Sequence, residues 1–257
     1  MIESPNGGLP DRVAIVTGAG QGLGRAFARA FAETGAISIV AEIDKTRGDN
    51  VAREIEQAGG QAMPVVVDIG DEKSVDAMVQ AVTAKFGRVD ILVNNAAVFS
   101  TLKMRPFTEI PLDEWERVLR VNITGTYLCC RAVAAPMKAR GWGRIINISS
   151  GSITLGRPNY LHYTTSKSAL IGMSRSMARE LGPSGITVNA ILPGATFTEV
   201  PRETVTEAQK AQLIAMQCVP RAQTPGDLVG TVLFLASESS AFVTGQSITV
   251  DGGCTHS

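Results

Sequence analysis

The sequence predicts a single α/β domain, a doubly wound parallel seven-stranded sheet. Three observations predict it. Short β-rich apolar runs alternate with helical patterns along all 257 residues. The first such run ends in a cluster of glycines that opens onto an amphipathic stretch. Hydrophobic residues make up 44% of the chain and charged residues 19%, enough apolar matter for a sheet covered on both faces.

Arg12–Thr17 reads RVAIVT, an apolar run ending in glycines and so a buried strand. Leu23, Ala26, Phe27, Ala30 and Phe31 then recur at i, i+3, i+4, i+7 and i+8, one stripe of a helix. Ile37–Glu42 is the second strand, and Val51–Ala58 lies in the second helix. Ala62–Asp68 is the third strand. Asp71–Phe86 reads as a helix with Gly87 just past its end. Ile91–Asn94 is the fourth strand. A long helix is expected over about Asp113–Arg140, with Pro136 kinking it or ending its regular part. Arg144–Ser149 is the fifth strand, Tyr160–Leu181 a helix, Ile186–Leu192 the sixth strand, Asp227–Ala236 a helix and Gln246–Val250 the seventh strand. The alternation never breaks, so one domain is placed over 1–257, with right-handed βαβ crossovers.

Lys and Arg number 24, as do Asp and Glu, so the formal charge is zero. That balance argues against nucleic acid or an anionic membrane as the main partner. The first residues, MIESPNGGLP, carry no signal-peptide pattern, and no apolar run is long enough to span a bilayer. Cys129, Cys130, Cys218 and Cys254 form no C-x-x-C pair and read as reduced thiols, mostly core fillers, of a cytoplasmic protein. Two distant histidines make a His-rich metal site unexpected.

Two irregular stretches, Val98–Pro111 and Pro193–Pro225, follow strands at the carboxyl edge of the sheet, where such folds bind ligands. The second is long for a loop and reads as a lid at about 196–218: helical in its middle, bounded by Pro201 and Pro220.

The glycines after the first strand do not fit G-x-G-x-x-G. They fit T-G-x-x-x-G-x-G, with Gly18, Gly22 and Gly24. The physics is shared: a tight turn lets the backbone approach a pyrophosphate, which sits at a helix N-terminus among unpaired N–H groups. This makes the domain a Rossmann-type dinucleotide-binding one. Glu42 ends the second strand, where an acidic group accepts hydrogen bonds from the adenosine ribose and repels a 2′-phosphate. Neither Gln21 nor Ile43 is basic, and Lys45 and Arg47 read as solvated helix-start charges. NAD is therefore the expected cofactor.

With Thr17–Gly24, the Asn94-Asn95-Ala96-Ala97 run, Asn122 in VNITG, Ser150 in NISSGS, Tyr163-Thr-Thr-Ser-Lys167, Pro193-Gly194 and the terminal VDGG, the chain resembles the short-chain dehydrogenase/reductase family. The resemblance runs from about Leu9 to Gly253. Ala97 is a departure, standing where the family commonly has glycine. The resemblance implies hydride transfer between an alcohol and a nicotinamide, with Asn122, Ser150, Tyr163 and Lys167 as the catalytic group. Tyr163 and Lys167 are spaced i, i+4 and share a helix face. A phenol is too weak an acid to act as base near neutrality until a neighbouring ammonium favours its phenolate. The family's serine–tyrosine spacing selects Ser150 over Ser149 and Ser152 to hold the substrate oxygen. The resemblance gives Asn122 a water that links Lys167 to solvent. It also implies cofactor contacts from Gly18, Gln21, Gly22, Leu23, Gly24, Ala96, Pro193 and Gly194, from Asp68 and Ile69 at the adenine, from Asn94 at its ribose, and from Thr196 and Thr198 at the carboxamide. Taken singly, each of these has an ordinary reading. A Y-x-x-x-K pair can be a solvated face, Asn122 a helix kink, Ser150 a strand-end turn, Asp68 a helix cap, and the two threonines turn residues.

Expected pocket residues are Ala97–Phe99, Ser152, Ile153, Leu155, Tyr160 and the lid, with Arg157 and Arg202 the only candidate positive charges. A small secondary alcohol or ketone, or a related aryl alcohol, sugar or polyol, suits that lining. The rivals are an NADPH-dependent 3-oxoacyl thioester reductase, which wants basic residues near the adenosine 2′ position, and a non-catalytic NAD-binding module, which would have lost a catalytic residue. The resemblance further implies a homotetramer. Leu128, Cys129, Ala132, Ala169, Leu170 and Met173 would give the two long helices a second apolar face for it.

Overall fold

The computed structural model describes residues 8–200 and 207–256. Seven parallel strands stand in the order β3-β2-β1-β4-β5-β6-β7. They are β1 (Val13–Thr17), β2 (Ile37–Glu42), β3 (Gln61–Val66), β4 (Ile91–Asn94), β5 (Gly143–Ile148), β6 (Ile186–Pro193) and β7 (Ser247–Val250). β1, β4, β5 and β6 are buried along their whole length, which is why they read as continuous apolar runs without alternation. The strand order reverses between β1 and β4, opening a crevice at their carboxyl ends.

Helices cover both faces. Phe27 and Phe31 of α1 (Gly22–Glu33), Val51 and Ile55 of α2 (Lys45–Gln57) and Leu228, Val232 and Leu235 of the helix Gly226–Ala236 fill one core. Val75, Met78 and Val82 of α3 (Glu72–Phe86) fill the other, with Leu128, Cys129, Val133 and Met137. α3 starts where the Asp71 side chain accepts from Lys73 N and ends on Gly87 at φ 70°.

The expected long helix is three segments: α4 (Leu112–Leu119), a π-helical stretch Arg120–Gly125, and α5 (Thr126–Arg140). Pro136 does not end α5, which runs on to Arg140 and stops at Gly141 in the left-handed region. A one-turn helix, α6 (Ser152–Leu155), precedes α7 (Leu161–Leu181) and was not foreseen; four residues are too few for periodicity to register. The stretch Pro193–Pro225 contains α8 (Glu207–Ala215), so the helix Gly226–Ala236 becomes α9. Pro201 and Arg202 lie outside the described residues.

Two expectations need correction. Cys129 and Cys130 are core residues, but Cys218 is exposed and Cys254 half-buried. Leu128, Cys129 and Leu170 are buried inside the chain, so they belong to its own core and leave Ala132, Ala169 and Met173 on the half-buried surface. The apolar stripe that covers the sheet is wider on these helices than the spacing suggested. Among the described residues no helix is long and apolar enough to cross a membrane.

Candidate active site

A cleft of about 520 Å³ follows the carboxyl ends of the strands. Gly18 and Gln21–Leu23 line one wall, Glu42 and Val67–Ile69 one end, and Ser150, Tyr163, Lys167 and Pro193–Thr196 the remainder.

The turn at the first wall can be built only from glycines. Gly18 has φ 62°, and a Cβ there would lie 2.8 Å from Ala96 Cα; Gly24 would place one 2.1 Å from the Gly18 carbonyl oxygen. Gly24 is therefore a packing residue that lets α1 sit against the turn, and it does not itself line the cleft. Gln21 occupies the N-cap of α1 without a side-chain cap, and the first turn holds no acidic residue. The N–H groups of that turn are thus left without a local partner.

Glu42 is buried. Its carboxylate accepts from Gly20 N at 2.9 Å, Ile43 N at 3.1 Å and Asp44 N at 3.3 Å. It ties the glycine turn to the end of β2 while still facing the cleft.

Tyr163 packs against Phe99 with ring centroids 4.5 Å apart and against Tyr160 at 6.4 Å. Lys167 Nζ stands 5.8 Å from the Tyr163 ring centre and donates to the Ile148 carbonyl at 2.7 Å. Burial lowers the Lys167 pKa from its ordinary value to about 8. Ser149 and Ser150 part company. Both line the cleft, but Ser149 Oγ is spent on the Lys167 carbonyl, holding α7 to β5, whereas Ser150 Oγ accepts from Ser152 N at 3.1 Å.

A tyrosine and a lysine on one helix face thus open onto the same cleft as a glycine turn whose helix start has no cap from Gln21. A family model described as enoyl-(acyl carrier protein) reductase matches residues 18–255. The chain belongs to the short-chain dehydrogenase/reductase family. It is 38% identical to the (2S)-[(R)-hydroxy(phenyl)methyl]succinyl-CoA dehydrogenase subunit BbsD of Thauera aromatica, over 96% of this chain and 97% of that one. Its fold matches a 7α-hydroxysteroid dehydrogenase solved with NADH and 7-oxoglycochenodeoxycholic acid, at TM-score 0.92 and 34% identity over 98% of both chains. It also matches a gluconate 5-dehydrogenase of Burkholderia cenocepacia solved with NADP and tartrate, at TM-score 0.90 and 34% identity over 96% of both chains. Further relatives are named as sugar dehydrogenases and as a 3-oxoacyl-acyl-carrier-protein reductase.

Within this family member, two expected site residues lie beneath the cleft. Asn94 is buried, donating to Asn147 Oδ1 at 2.9 Å and to Cys130 Sγ, so its neighbours Asn95 and Ala96 line the cleft in its place. A strand alternates its faces, and a one-residue offset decides which asparagine faces the ligand. Asn122 sits in the π-helical stretch. Its Oδ1 accepts from Val98 N at 2.8 Å, and its Nδ2 donates to Val98 O and to Ser166 Oγ. It clamps the loop after β4 to α7 one residue before Lys167, while its carbonyl accepts from Thr126 Oγ1.

Asp68 and Ile69 line the cleft at the Glu42 end. Asp68 Oδ1 accepts from Gly70 N, and the cap of α3 falls to Asp71. Thr196 and Thr198 line the opposite wall, the first bonded to Gln223 Oε1 and the second accepting from Val200 N.

Two charged residues beside the glycine turn were missed or misjudged in the sequence. Arg47 lines the cleft at the Glu42 end, 3.5 Å from Asp44, and is not a purely solvated charge. Glu199 accepts from Gly22 N at 3.0 Å and from Arg25 Nη1 at 3.4 Å, so a carboxylate sits on the N-terminus of α1. No local signal announces it, because the contact spans 177 residues of chain.

Proposed function

We propose that this chain is an NAD-dependent dehydrogenase that interconverts a small secondary alcohol and its ketone. The observation that carries the reading is the convergence of Ser150, Tyr163 and Lys167 on the cleft that the glycine turn and Glu42 also line.

The first turn of α1, whose Gly22 N–H Glu199 holds in this structure, would hold the pyrophosphate, Glu42 the adenosine ribose, and Asp68 and Ile69 the adenine. When bound, the nicotinamide supplies the hydride acceptor. Ser150 holds the substrate oxygen, its hydroxyl proton being left to donate. Tyr163 takes the hydroxyl proton as its phenolate. Lys167, buried beside it, stabilises that phenolate while charged. Asn122 acts on this group by fixing Val98 and Ser166, and so the helix face that carries Tyr163 and Lys167.

Preference for NAD rests on Glu42. Arg47 is the one basic side chain at that end, and Asp44 engages it, whereas Glu42 is pinned by three backbone N–H groups. A 2′-phosphate would meet a carboxylate that cannot swing away. The same argument disfavours the NADPH-linked thioester reductase. The residues 196–218 serve as a lid, with Glu199 leaving Gly22 as the pyrophosphate arrives, and the enzyme works in the cytoplasm as a homotetramer.

The deciding experiment is a panel of secondary alcohols assayed with NAD and with NADP. The reading requires NADH formation with at least one alcohol, at least tenfold better kcat/KM with NAD, and loss of that activity in Tyr163→Phe. No turnover with any alcohol or ketone would favour the non-catalytic module.

A further inference from the structure

The two ends of the cleft differ in charge. Glu42 and Asp68 line the adenosine end. Beyond Tyr163 the lining holds no carboxylate among the described residues, and their one cation there apart from Lys167 is Arg157.

Arg157 follows α6, and its backbone N–H donates to the Ser152 carbonyl, which fixes where the side chain starts. The guanidinium lies over the Tyr160 ring, 4.6 Å from its centre, and that ring is itself 6.4 Å from the Tyr163 ring. Among the described residues no carboxylate pairs with it. A ring face accepts no conventional hydrogen bond, so a guanidinium over it keeps N–H groups that can meet a carboxylate with two parallel hydrogen bonds. An aromatic support also removes much of the rotamer freedom that binding would otherwise have to freeze. The second observation is Ser152, whose Oγ is buried, lines the same end of the cleft and has no hydrogen-bond partner. A buried hydroxyl left unsatisfied points to a polar ligand group.

We propose that Arg157, with Ser152, is a carboxylate subsite: the substrate is a hydroxy acid, or the corresponding keto acid, whose carboxylate lies several bonds from the reacting carbon. The proposal rests on the dehydrogenase reading of the cleft and names the substrate class within it. One cation suits one singly charged carboxylate; a phosphate dianion would call for more positive charge than the described residues at this end of the cleft supply. The low-dielectric walls strengthen the attraction, and a neutral analogue would leave Arg157 and Ser152 without a partner, which is how a polar site rejects the wrong substrate.

The test uses the full chain with NAD. The substrates are 3-hydroxybutanoate, 4-hydroxypentanoate and 5-hydroxyhexanoate, each beside its primary amide, and 4-hydroxypentyl phosphate. The expected result is kcat/KM at least tenfold higher for one acid than for its amide, with the difference in KM. In Arg157→Gln that ratio falls to within twofold, and Arg157→Lys recovers part of it. Amides as good as acids at every length, an undiminished ratio in Arg157→Gln, or a phosphate ester preferred to the acids would each overturn the carboxylate subsite.

A second readout separates this proposal from the one beneath it. The matching keto acids, added to the enzyme with NADH, should raise the thermal midpoint of the wild type and not of Arg157→Gln. That result without any turnover would sink the dehydrogenase reading and keep the subsite. Turnover of neutral alcohols without acid preference or keto-acid binding would do the reverse. Neither turnover nor binding would sink both.

Discussion

The two ends of the cleft are built differently. At the end lined by the glycine turn and Glu42, proposed for the adenosine, the backbone does the work: a turn with positive φ, a helix N-terminus without a cap from Gln21, and a glutamate held by three main-chain N–H groups. At the substrate end the side chains do it: the Phe99–Tyr160–Tyr163 ring cluster, Arg157 stacked on it, and a lysine buried against a carbonyl. A site made of backbone tolerates few alternatives, since only glycine fits the turn. A site made of side chains resting on loops can be re-cut without disturbing the sheet. That contrast suits a family in which relatives of this chain are named for a succinyl-CoA thioester, for gluconate and for a 7α-hydroxysteroid.

The largest expected effect falls at the substrate end. Tyr163→Phe keeps the ring contacts and removes the proton acceptor, so kcat should drop by about 10³-fold with the thermal midpoint little changed. Activity within tenfold of wild type would mean that another group moves the proton. The adenosine end should break through sterics. Gly24→Ala drives a methyl into the Gly18 carbonyl and should cost about 3 kcal/mol in urea unfolding, with loss of dinucleotide binding. A stable variant that binds NAD normally would show that the turn can re-form without glycine there.

A titration sharpens the difference. Burial favours the neutral Lys167 amine in the fold, so between the folded pKa of about 8 and the unfolded value of 10.5 the unfolded chain binds more protons. The cofactor-free wild type should therefore gain stability relative to Lys167→Met as pH rises through that window. The gain should be about 2 kcal/mol, because the bond to Ile148 offsets part of the burial. Urea midpoints at pH 7.5, 9 and 10.5 read it; a constant difference would mean that Lys167 keeps its proton throughout.

Smaller shifts belong to charge at the adenosine end. Glu42→Ala with Ile43→Arg should move the NAD/NADP ratio of kcat/KM about tenfold toward NADP. Wild type that prefers NADP would refute the role given to Glu42. Glu199→Gln should tighten NADH binding several-fold in a fluorescence titration, by removing a negative charge from the N–H group that the pyrophosphate needs. Unchanged or weaker binding would indicate that Glu199 does not compete there.

The succession of strands and helices along the chain, the glycine turn and the Tyr163–Lys167 pair were all legible in the sequence. Each is a local pattern: a buried apolar run, a positive-φ turn, two residues on one helix face. The residues that follow a strand were harder, because a one-residue offset separates Asn95, which lines the cleft, from Asn94, which holds Asn147 beneath it. The π-helical stretch around Asn122 left no trace in the periodicity, since one extra residue per turn is lost within a long apolar pattern.

What the sequence determined by itself was therefore the strand–helix alternation behind the sheet, the glycine turn and the Tyr163–Lys167 pair on one helix face, all set by neighbours within a few residues. Only the tertiary structure decided that Asn122 clamps Val98, that Glu199 sits on the N-terminus of α1, that Arg47 borders the cleft, and that Arg157 rests on Tyr160 facing it. These contacts join segments far apart in the chain or turn on which way a side chain leaves its loop. Packing around the finished sheet sets both, and residue spacing carries no record of either.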